Sequence, residues 1–213
     1  MLKFIKTEER LNVLTHAIGV LIGIVITPYF LFFQSNLALQ VWIGLAVYCF
    51  SFTFLFLAST IYHAVSGSLK VVWRKIDHIA ILFLIAGTYT PVTLTVLFES
   101  SGLWMLIAIW SIALIGLVFK LFYTGRFEIL SLVIYLGMGW LVIFEIETIW
   151  RLFSIAALVY LILGGLFYTV GVYFYRLKGV KEAHAIWHIF VLGGGISHVF
   201  MIQQILLLGK FTF

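Results

Sequence analysis

Seven long apolar runs, divided by short polar or charged stretches, organise this 213-residue chain. They fall at about residues 13–33, 41–64, 77–97, 103–122, 129–146, 153–175 and 184–207. Each is about 18–24 residues long, enough for a helix to cross roughly 30 Å of hydrocarbon. Membrane-spanning β-strands would be about 10 residues with strict alternation, a period these runs lack. Connections such as QSNLALQ (34–40) and ESSGL (99–103) are too short to hold another domain. The expectation is an all-α integral membrane fold, one seven-transmembrane helix bundle covering residues 1–213.

Composition agrees. Hydrophobic residues make up 64% of the chain and charged residues 10%, whereas soluble domains are about 45–50% apolar. The single cysteine, Cys49, excludes an internal disulfide and reads as a small core hydrophobe. The net charge of +5 does not indicate nucleic acid, because the basic residues form short clusters between apolar runs, where headgroups and topology account for them. One side of the bundle receives Lys3, Lys6, Arg10, Lys70, Arg74, Lys75, Lys120, Arg126, Arg176, Lys178 and Lys181; the other receives only Arg151 and Lys210. The positive-inside rule then puts the N-terminus in the cytoplasm and the C-terminus outside, the reverse of a G-protein-coupled receptor. Lys3, Lys6 and Arg10 resemble the start of a signal peptide, but Glu8 and Glu9 interrupt them and the run from 13 to 33 is too long, so it reads as a retained span. The last run has no mid-membrane lysine to carry retinal. Pro28 and Pro91 predict local kinks. Glycines at 19, 23, 44, 87, 116, 137, 139, 164, 165, 171 and 193–195 predict close helix contacts.

Ionisable groups inside a membrane are costly, so each is a functional candidate. With that orientation His63 closes the second run, Asp77 (the only Asp) opens the third, and His184 and His188 of HAIWH (184–188) open the seventh. Glu8, Glu9, Asn12 and His16 enter the first run at the same end, so five of the six histidines share one depth near the cytoplasmic leaflet. His184 and His188 stand about 40° apart around a helix and roughly 6 Å apart along it. Ser59 and His63 share a face, as do Asn12 and His16, with Glu8 extending that line by a turn. Three neutral imidazoles suit Zn²⁺ with a fourth position left open, and zinc brings a water to a pKa of about 7. Asp77 could orient or deprotonate that water, and Ser59 could hydrogen-bond a ligand or an oxyanion. The competing reading is a set of unrelated interfacial histidines. His78 points about 100° from Asp77 and reads as an interfacial side chain. His198 lies about 15 Å deeper than His188, outside that site, facing a polar partner or lining a path from the far side. Glu99, Glu145 and Glu147 read as solvated loop charges.

The ordered set E-x-x-N-x-x-T-H (9–16), S-x-x-x-H (59–63), RKIDH (74–78), GTYTPV (87–92) and H-x-x-x-H (184–188) resembles the hemolysin III family, the bacterial branch of the progestin and adiponectin receptor superfamily. The resemblance covers nearly the whole chain. It implies seven spans, a cytoplasmic N-terminus, and zinc held by His63, His184 and His188, with Asp77 on the zinc-bound water and Ser59 at the family's serine. Some relatives in that superfamily are linked to hydrolysis of ceramide-like lipid amides, and some bacterial members to lysis. The expected function is a zinc-dependent hydrolase of a membrane lipid amide or ester, in the cell membrane, with membrane lipids as partners. The alternatives are a lytic protein or regulator of membrane energetics with a structural zinc, and a receptor-like protein. Few charges fall inside the runs, which argues against a water-filled pore. The oligomeric state is open and includes a homo-oligomer.

Overall fold

A computed structural model describes residues 5–32, 37–177, 179–180 and 182–208. A 3-10 turn, Thr7–Glu9, leads into α1 (Arg10–Phe32). There follow α2 (Leu39–Ala64), α3 (Gly67–Thr93), α4 (Gly102–Tyr123), α5 (Glu128–Gly139), α6 (Ile146–Leu152), α7 (Ile155–Arg176) and α8 (Ala183–Leu206). The core runs along α2, whose Leu45, Tyr48, Phe52 and Phe56 are wholly enclosed. α3 and α1 flank α2, α4 packs on α3, and α7 and α8 pair and close onto α1.

Among the described residues, six segments are long and apolar enough to cross a membrane: Thr7–Phe32, Leu39–Ala64, Gly102–Tyr123, Glu128–Leu152, Ile155–Arg176 and Ala183–Leu206. The run expected at 77–97 lies on α3, which is not among the six and ends at Thr93. Lys70, Arg74, Lys75 and Asp77 polarise its first half, and residues 86–93 are all buried by neighbouring helices. Its apolar surface therefore serves the interior of the bundle.

The run expected at 129–146 is not one helix. α5 stops at Gly139, a 3-10 turn Leu141–Glu145 follows, and α6 resumes. A break at membrane depth frees backbone groups that lipid cannot satisfy. Tyr89 of α3 supplies both partners: its hydroxyl donates to the Gly139 carbonyl and accepts from the Val142 amide, each at 2.8 Å.

Most of the glycines do mark tight contacts. A Cβ on Gly19 would fall 2.2 Å from the Phe56 ring, one on Gly164 2.3 Å from His198, and one on Gly44 2.9 Å from Pro91 Cα. Gly137 and Gly139 are the exceptions, with no atom of the described residues within 4 Å of such a Cβ. Gly139 instead ends a helix.

Candidate metal centre

His63 sits in the last turn of α2, and His184 and His188 in the first two turns of α8. Packing of α1 between those helices brings the three rings together. Their centroids are 4.5 Å apart for His184–His188, 4.8 Å for His63–His188 and 5.3 Å for His63–His184. One nitrogen from each lies within 4.8 Å of the other two. Ligand nitrogens of a tetrahedral zinc are roughly 3.3 Å apart at the usual bond length, so a small inward turn of the rings would close the set on one ion.

The hydrogen bonds assign the nitrogens. His63 Nδ1 lies 2.7 Å from Glu9 Oε2, which also accepts from Asn12 Nδ2 at 2.9 Å. Glu9 Oε1 accepts from Lys70 Nζ at 2.8 Å. The carboxylate thus holds His63 as the Nδ1–H tautomer. His63 Nε2, buried and without any hydrogen-bond partner among the described residues, is left with a free lone pair. An unpaired polar atom is expensive to bury, and a metal ion is the partner such a nitrogen fits. A ligating histidine whose other nitrogen donates to a carboxylate is the usual outer-shell arrangement of zinc sites. His188 Nδ1 faces Thr15 Oγ1 at 3.5 Å, and Thr15 can spend its own proton on the Leu11 or Asn12 carbonyl, each at 2.9 Å.

Asp77 lies about three turns into α3 on its cavity-facing side, and the buried Ser59 of α2 faces the same cavity. Both line the same cavity as His184 and His188. That cavity, about 450 Å³, continues past Leu84, Val92 and Leu161 to Phe153 and Met201. Its size is that of a small-molecule site. One end is polar and the remainder apolar, the shape an amphiphile requires.

Several side chains differ from their expected places. Glu8 is exposed, and Glu9 takes the position assigned to it. Glu9 stands three residues before Asn12 and seven before His16, so it shares their helix face more closely than Glu8 does. His78 turns toward the cavity and not to the outer surface. It is half-buried, lines the cavity, and has Nδ1 3.4 Å from Lys120 Nζ, because α4 and α5 cover that face of α3. His16 lies on the polar face of α1 and turns into the histidine cluster. Both its ring nitrogens are buried and without a hydrogen-bond partner among the described residues, and its ring meets His188 edge-on at 4.0 Å. Glu9 and His16 are the functional candidates that residue type alone did not single out; the motif 9–16, with polar groups at three- and four-residue steps, was the available signal. His198 lies away from the triad, against Tyr168 at 5.6 Å, on the apolar part of the cavity wall. Glu147 is exposed and pairs with Arg151 at 3.7 Å within α6.

Residues 4–199 match the family model described as "Haemolysin-III related". The chain is 40% identical over 198 residues to the hemolysin-3 homolog of Bacillus subtilis (strain 168), covering 92% of each. It is 35% identical over 204 residues to hemolysin-3 of Bacillus cereus, covering 95% of this chain and 93% of that one. It is also 32% identical over 165 residues to the monocyte to macrophage differentiation factor of Homo sapiens, covering 71% of this chain and 66% of that one. A match of this length, on a helical membrane architecture with the histidine set in place, makes the chain a member of the haemolysin-III-related family.

Proposed function

We propose that this protein is a zinc-dependent hydrolase of a membrane lipid amide or ester, with Asp77 and Ser59 as its catalytic side chains. The observation that carries the proposal is the state of His63: one nitrogen locked on Glu9, the other buried with no partner, beside two further imidazoles. His63, His184 and His188 would hold the ion. When bound, zinc supplies a Lewis acid and a water acidic enough to act as nucleophile near neutral pH. The remaining work falls to the chain. The apolar cavity seats the lipid tail and excludes bulk water, presenting the carbonyl at the histidine end. Asp77 accepts the proton of the attacking water and returns it to the departing nitrogen or oxygen, so that water plus amide or ester becomes acid plus amine or alcohol. Ser59, on the same cavity wall as Asp77, can donate to the oxyanion. The charge distribution supports a cell-membrane protein with this end at the cytoplasmic leaflet, and α3 as a seventh span enclosed by the other six.

The test pairs metal analysis with turnover. Purified wild-type protein should carry about one zinc per chain. Asp77→Asn should keep that zinc and lose about 100-fold or more in hydrolysis of a panel of lipid amides and esters. Bound zinc with no turnover across the panel would sink the hydrolase reading and leave a metal protein. The names of the Bacillus relatives favour lysis as the second reading. Lysis that survives loss of all three histidines would separate that activity from zinc.

A further inference from the structure

Lys120 belongs to a second polar cluster, across the cavity from the histidines, that the proposed chemistry does not use. It lies one turn before the end of α4 and is only 2% exposed. Its Nζ donates to Ser131 Oγ at 2.5 Å and sits 3.4 Å from His78 Nδ1. The Tyr135 ring lies 5.6 Å away, a weak cation–π contact. All of these partners are neutral or can be. Every Asp and Glu of the chain lies among the described residues, and none forms an ion pair with Lys120. The nearest carboxylate in sequence, Glu128, pairs with Arg74 at 3.5 Å. Gly125, at φ +81°, makes room for that pair: a Cβ there would fall 3.1 Å from the guanidinium.

A buried ammonium without a counter-ion is costly, and burial of this kind persists where a partner is supplied. Lys120 lines the cavity, so the partner can come from the ligand. At this end Arg74, Lys120 and Arg176 face Asp77 and Glu128, an excess of one positive charge. The wall opposite the charged end is apolar down to Phe153. We infer that Lys120, with Ser131 and His78, is the head-group subsite for an anionic single-chain amphiphile whose tail lies in the cavity. A phosphate or a carboxylate fits equally, as both accept from an ammonium and a hydroxyl. The inference takes the cavity as the lipid site proposed above, but it needs neither zinc nor turnover.

The experiment is equilibrium binding of radiolabelled hexadecyl phosphate and hexadecanol to the full-length protein in phosphatidylcholine nanodiscs, with empty discs subtracted. Wild-type protein should bind the phosphate saturably and about tenfold or more tighter than the alcohol, the effect expected of one desolvated ion pair. Lys120→Met should abolish the preference and Lys120→Arg should keep most of it. Hexadecanoate should compete with hexadecyl phosphate, whereas inorganic phosphate at equal concentration should not. Protein stripped of zinc by a chelator should retain the preference, so failure of the hydrolase reading leaves this result standing. Equal affinities for phosphate and alcohol in the wild type would overturn the inference whether or not the variants fold. So would a preference that vanishes with zinc, which would put the anion on the metal, or inorganic phosphate competing as well as the amphiphile, which would make the subsite a free-anion site.

Discussion

The two ends of α8 carry histidines in opposite circumstances. His184 and His188 open the helix beside His63 and His16 of two other helices, with a carboxylate holding His63 from behind. His198, ten residues on, is half-buried with its Nδ1 enclosed and without a partner among the described residues, but its neighbours are Tyr168 and the glycine face of α7. An imidazole with an enclosed free nitrogen is therefore not in itself a ligand here. What distinguishes the first end is convergence: α1, α2 and α8 all deliver donors there, and one acidic residue fixes a tautomer. The contrast can be broken most directly by substitution. His63→Ala, His184→Ala and His188→Ala should each lower bound zinc from about one per chain to well under a tenth of that. His198→Leu should leave it unchanged. Inductively coupled plasma mass spectrometry on purified protein reads both, and zinc lost from His198→Leu would erase the distinction between the two ends.

A smaller effect isolates the carboxylate. Glu9→Gln keeps a hydrogen-bond acceptor near His63 Nδ1 but removes the charge that favours the Nδ1–H tautomer and balances Lys70. Zinc affinity should fall about 10–100-fold, the usual cost of losing an outer-shell partner. Glu8→Gln, at the exposed neighbouring position, should change nothing. Competition with a zinc chelator of known affinity measures the ratio. Equal affinities for Glu9→Gln and wild type would make the Glu9–His63 contact merely structural.

That pair of glutamates shows where sequence reading stops. The histidine set was legible because His184 and His188 share a helix face and because charge counting places His63 and Asp77 at the same end of the bundle. Which glutamate completes the first helix's polar face is less plain, since Glu8 and Glu9 both fall within about a turn of Asn12, and only the seven-residue step to His16 favours Glu9. Charge counting sorts side chains by the end of a helix and says nothing about the direction they point. It leaves Lys120 and His78 among the headgroups, whereas both turn inward to the cavity. The break after α5 is a third case. It is stabilised by Tyr89, fifty residues earlier in the chain, and no local feature of the run 129–146 encodes that contact.

The glycines yield the smallest effects and sharpen the same contrast. Gly164 lies where α7 meets His198, so Gly164→Ala would drive a methyl into the imidazole, with a Cβ 2.3 Å from Nε2. His198 is half-buried on the cavity wall, so its ring can yield only by giving up its packing on Tyr168 and turning into the cavity. Overpacking of this kind costs about 1–3 kcal/mol. Gly137 is helical, has no positive φ and has no atom of the described residues within 4 Å of a built Cβ. Gly137→Ala should therefore gain roughly 0.5–1 kcal/mol, because alanine loses less backbone freedom on forming a helix. Both changes leave the histidine cluster untouched, so zinc content should stay at the wild-type level while thermal unfolding in detergent moves down for Gly164→Ala and up for Gly137→Ala. A lowered midpoint for Gly137→Ala would mean that the face of α5 carrying it is occupied, by lipid or by a second copy of the chain, and that its glycine is kept for close approach after all.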